Sequence, residues 1–119
     1  MPAEPKVSDT QLYHVRPGQP VTLRIGIGNL QLGGASISHE GPPRSFPTGS
    51  DELIGHPGQD LRFTILHTVT TVKDINPQTN ETVVTYRLSG GVKDQTFEYR
   101  LTVNETEGFA HYFIDFALV

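Results

Sequence analysis

Side chains able to do chemistry are sparse in this chain, and few of them are grouped. Asp74, Asn76, Asn80 and Glu81 place oxygens within one short polar stretch. A calcium ion takes roughly six to eight such ligands from closely spaced Asp and Asn residues. Only two of these four are carboxylates, and Pro77 interrupts the spacing of a calcium loop. The expectation is therefore that they bond to neighbouring backbone and hold a turn. The five histidines, His14, His39, His56, His67 and His111, show neither His-x-His nor His-x-x-x-His spacing. No metal site is expected from them, although His67 and His111 lie on expected strands and could meet in space. His39-Glu40 beside Ser36 and Ser38 has the residue types of a hydrolase. It lacks the strand–turn–helix that presents a nucleophile, so no catalytic residue is assigned.

Other motifs carry less. Gly26-Ile27-Gly28, with Gly33-Gly34 beyond it, has no following helix whose N-terminus would cradle a phosphate. Asn80-Glu81-Thr82 and Asn104-Glu105-Thr106 match the N-glycosylation acceptor pattern, and both read here as turn chemistry. Most aromatic residues fall on expected core faces. Tyr13 and Phe46 stand in less regular stretches and are the candidates for an exposed platform. A pocket under the loop of residues 41–58 would be lined by Arg44, Asp51, Glu52 and His56, which are the candidate ligand-binding residues.

Composition narrows the class. The chain has 119 residues, no cysteine and a net charge of −4. That length buries enough surface for a stable core without cross-links, and the missing thiols exclude disulfides and zinc–thiolate sites. Lysine and arginine are scattered, so nucleic acid is not an expected partner. No apolar run is long enough to span a bilayer, and residues 1–6 lack the layout of a signal peptide. The cytoplasm is the default expectation, and no cofactor is implied.

The elements that must position these residues are strands. Residues 61–73 and 82–89 are rich in β-branched side chains, which suit a pleated surface. With the polar stretch 74–81 between them they read as a β-hairpin. Leu61, Phe63 and Ile65 are expected inside, and a bulge would return both Val69 and Val72 to the core. Residues 21–28 alternate cleanly, with Val21, Leu23, Ile25 and Ile27 inward; Gly26 and Gly28 suggest a close neighbour outside. Residues 35–39 form a short strand. Residues 41–58 carry too much proline and glycine for a regular ladder, with Leu53-Ile54 anchored in the core. Residues 95–103 alternate with Phe97, Tyr99 and Leu101 inward. Residues 109–119 are apolar on both faces, so this strand is expected at the centre, covered on each side.

No segment has helical periodicity. The expected fold is all-β: an antiparallel β-sandwich or jelly-roll-like barrel of about eight strands without substantial helix. Residues 1–9 are expected as a flexible arm and residues 10–119 as a single sandwich domain. The function implied is a non-catalytic binding or assembly module acting through a sheet face or edge strand. Its partner would be another protein or a second copy. The alternative is a small-ligand domain, for carbohydrate or metal, or an enzyme with its pocket under the 41–58 loop.

Overall fold

Period-two alternation, cut by proline and glycine, leaves this chain little choice but strands. The computed structural model describes residues 4–105 and 107–119. Among these residues there are nine strands: β1 (Lys6–Tyr13), β2 (Val21–Ile27), β3 (Leu32–Ser38), β4 (Arg44–Phe46), β5 (Asp51–Ile54), β6 (Thr64–Lys73), β7 (Glu81–Ser89), β8 (Gln95–Thr102) and β9 (Phe109–Leu118). They form two packed sheets, one of five strands in the order β1-β9-β6-β3-β4 and one of four in the order β5-β2-β7-β8. The result is an all-β sandwich. No described helix is long and apolar enough to cross a membrane.

The filling comes from one face of each sheet. Leu23, Ile25, Val84, Tyr86 and Leu88 of the four-stranded sheet meet Leu66, Val72, Tyr112, Ile114 and Phe116 of the five-stranded one. Tyr86 and Phe97 lean on Phe116 with ring centroids 5.6 and 5.5 Å apart. These inward faces of β2, β7, β8 and β9 follow the sequence alternation.

The expected hairpin does not form. β6 pairs with β3 and β9, whereas β7 pairs with β2 and β8, so residues 74–80 carry the chain from one sheet to the other. Both arrangements bury one face of each strand, so alternation alone cannot choose between them. Two tethers hold the crossing. The Asp74 amide donates to the Gly108 carbonyl at 2.9 Å, and the Asp74 carbonyl accepts from the Glu107 amide at 2.9 Å.

The inward face of β6 is also the reverse of the expected one. Leu66, Thr68, Thr70 and Val72 point inward, while Ile65 and Val69 point out, and the ladder to β9 runs without a bulge. Phe63 precedes the strand and is exposed, whereas Leu61 is buried as expected. The threonines are inside because each hydroxyl has a partner there. Thr68 donates to the Ile114 carbonyl at 2.7 Å, and Thr70 shares a 3.0 Å hydrogen bond with the Tyr86 hydroxyl. A buried hydroxyl satisfied in this way avoids the desolvation cost that an unpaired one carries.

Other expectations shift in detail. Residues 41–58 hold two short strands, β4 and β5, with Ile54 buried and Leu53 exposed. Tyr13 and Phe46 are core residues and offer no exposed platform. Residues 6–9 of the expected arm belong to β1, which pairs in parallel with β9, with Lys6 opposite His111 and Tyr13 opposite Leu118. Residues 1–3 of that arm lie outside the described residues. β9 is not at the centre, which β6 takes, but second in its sheet beside the edge strand β1, and it is covered on one side only, for Phe109 and Phe113 are exposed.

The close approach predicted beside Gly26 and Gly28 occurs instead at Gly33 in β3. A methyl there would sit 2.5 Å from the Thr71 carbonyl oxygen and 2.8 Å from the Ile27 Cδ1. Gly33→Ala is therefore expected to cost about 2 kcal/mol or more in urea unfolding, because backbone on one side cannot yield. A second test uses Tyr86, whose phenol burial pushes up to about 12 against the opposing pull of the Thr70 and Thr68 hydroxyls. The folded chain holds that proton more tightly than the unfolded one, whose tyrosines ionise near about 10. The stability involved is thus complete below pH 10 and is lost as the pH climbs toward 12. It amounts to about 2–3 kcal/mol, to be read from unfolding curves alongside phenolate absorbance.

Candidate functional site

A two-sheet sandwich has two outer faces, and antiparallel sheets ordinarily turn polar side chains to water. The four-stranded sheet obeys. Its outer side chains include Arg24 3.5 Å from Asp51, Arg87 3.5 Å from Asp94, and Arg100 2.7 Å from Glu81 and 3.2 Å from Glu98. Such exposed pairs add little stability, but they keep that face solvated.

The five-stranded sheet does not obey. The outward residues of β6 and β9 stand opposite one another as Ile65–Ala117, His67–Asp115, Val69–Phe113, Thr71–His111 and Lys73–Phe109. β1 extends these rows with Leu12, Thr10, Ser8 and Lys6, and β3 with Ser38, Ser36, Gly34 and Leu32. Val69 and Phe113 at the centre are 37% and 39% exposed, and Ile65 is 47% exposed. Large apolar groups on two central strands are thus flanked by serine, threonine and glycine. Beside Phe109 the small residues leave an open depression of about 530 Å³ between Leu32, Gly34, Ser36, Val69 and Lys73.

The polar groups of this face are held by one another. His67 Nδ1 lies 3.0 Å from Asp115 Oδ1. His111 bridges Thr71 Oγ1 at 3.2 Å and Glu4 Oε1 at 3.0 Å, and its ring stacks beside Phe113. The two histidines share the face but stand in different rows, with the Val69–Phe113 row between them. Among the described residues no group of three or more His, Asp or Glu is gathered to hold a metal ion.

The four candidate ligand residues are divided. Arg44 and His56 line an open groove of about 590 Å³ where β4 and β5 diverge, together with His39, Glu40 and Gln59 above Ile37 and Ile54. Asp51 and Glu52 lie on β5 outside it, and Asp51 is paired with Arg24. His39 Nε2 contacts the Thr64 hydroxyl at 2.9 Å, and burial lowers the pKa of its imidazole against the pull of Glu40. The Ser38 hydroxyl donates to the Gly41 carbonyl, so it is not poised on His39.

The polar stretch after β6 closes on itself. Gln31 Oε1 accepts from the amides of Ile75 and Asn76 at 2.7 and 2.9 Å, and its Nε2 donates to Asp74 Oδ1 at 2.8 Å. Asp74 is fully buried, and its Oδ2 has no partner among the described residues. Gln31 was not among the residues the sequence singled out, since an isolated glutamine in a turn carries no signal of its own.

No protein-family model, no curated protein and no solved structure matches the chain. The clamp at Asp74 offers a direct check on this end of the sandwich. Gln31→Ala removes the donor of a buried carboxylate and the acceptor of two amides, and is expected to cost about 2–4 kcal/mol in chemical denaturation.

Proposed function

We propose that this protein is a non-catalytic binding or assembly module that acts through the outer face of its five-stranded sheet. The reading rests chiefly on one observation: β6 buries threonines and turns Ile65 and Val69 outward, beside Phe113. Apolar side chains are exposed there although the fold has inward positions of the same strand to place them in. An apolar patch at the centre of a sheet face, rimmed by small polar residues, is the composition of a protein–protein contact surface. The charged outer face of the opposite sheet supplies the contrast.

A small-ligand reading has less behind it. The groove beside β4 gathers Arg44 and His56 but stays open to solvent, whereas ligand pockets bury most of their occupant.

The face reading predicts that its apolar side chains serve contact and not folding. At a dilution where self-contact is absent, replacing Ile65, Val69 and Phe113 together by serine should leave the melting midpoint within about 3 °C of the parent, since surface changes of this kind are usually small. The same triple variant should lose retention on a hydrophobic-interaction column. A fall of about 10 °C would mean that the chain itself packs on these side chains, and the reading fails.

A further inference from the structure

We infer that the occupant of this face is a second copy of the chain, stacked on the first about a two-fold axis that crosses the strands at the row Ser8–Phe113–Val69–Ser36. The inference rests on the face reading above and names its partner. Two sheets packed face to face keep their strands within about 30° of one another, so rows next to such an axis remain opposed. The axis reverses the strand direction of the second copy, and the register then determines what meets what. Phe113 and Val69 meet their own counterparts. Asp115, one row above the axis on β9, faces His111 of the second copy, one row below it. At the next rows out, Ala117 faces Phe109, a small side chain opposite a large one, and Ile65 faces the aliphatic stem of Lys73.

Charge disfavours two other ways of pairing this face with itself. An axis along β9 stacks Asp115 on Asp115, and an axis along β6 stacks Lys73 on Lys73 and His67 on His67. The crossing axis sets Asp115 against His111, beside which Glu4 of that copy already sits, whereas an axis midway between β6 and β9 would set Asp115 against His67; the double variant below separates the two. Size is adequate as well. Four strands of seven to ten residues about 4.8 Å apart, with the three-residue β4 beside them, present roughly 600 Å². That approaches the roughly 800 Å² per partner of a standard specific interface.

Sedimentation velocity across micromolar concentrations tests the inference, with far-ultraviolet circular dichroism confirming the fold of each variant. The parent should populate a species of twice 13.1 kDa. Asp115→Lys alone and His111→Asp alone should each weaken association by about tenfold or more. The double variant D115K/H111D places opposite charges across the axis again and should recover most of the loss. A parent that stays monomeric at about 200 μM overturns the second copy. If the serine triple variant also keeps its melting midpoint, the sheet-face reading survives that outcome; if the midpoint falls, both fail. A dimer in which the double variant does not recover overturns the crossing register.

Discussion

Two hydroxyl pairs fix how the sheets meet across a largely apolar filling. Tyr86 on β7 reaches across the core to Thr70 on β6, and Tyr112 on β9 reaches back to Thr82 on β7. Each tyrosine belongs to one sheet and each threonine to the other, so the two bonds run in opposite directions between the layers. A phenol buried in apolar surroundings is costly unless its hydroxyl is met. Each bond therefore excludes any sliding of one sheet on the other that would leave it unmade. Hydrophobic contact alone does not discriminate in this way, because it is non-directional.

That constraint extends outward through the strands. With Thr70 required inside, the period of two places Thr68 and Val72 inside as well and sends Val69 and Thr71 to the outer face. Tyr112 does the same for β9, where Ala110, Ile114 and Phe116 go inward and His111, Phe113 and Asp115 go out. The apolar centre of the outer face is thus the other side of the same hydrogen bonds that lock the core. A protein that had no use for Val69 and Phe113 outside would gain solubility from polar residues at both positions. The exposed row is where the fold and the proposed contact surface share one cause.

The two ends of the sandwich are closed by other means. At one end Gln31, Glu107 and Gly108 tie down the crossing from β6 to β7. At the other, the chain termini of the core join: Val15 donates to the Val119 carbonyl, and Val119 donates to Tyr13. The parallel β1–β9 ladder continues from there. Pairing the first strand with the last shields the edge of β9, leaving β1, with Lys6 and Asp9, as the edge that meets solvent.

Local chemistry was legible in the sequence. Alternation set the strands β2, β7, β8 and β9 and their inward faces, since it depends only on neighbours two residues apart. The turn at residues 74–80 was visible in Pro77 and the asparagines for the same reason. What the sequence left undetermined was every choice that needs a distant partner. Whether β6 returns as a hairpin or crosses to the second sheet is decided by Asp74 meeting Glu107 and Gly108. Which face of β6 goes inward is decided by Tyr86, because a threonine with a phenol to bond belongs inside and the valine next to it, with no hydroxyl to satisfy, goes out. A residue's own polarity states a preference, and only the assembled sheets supply the partner that overrules it.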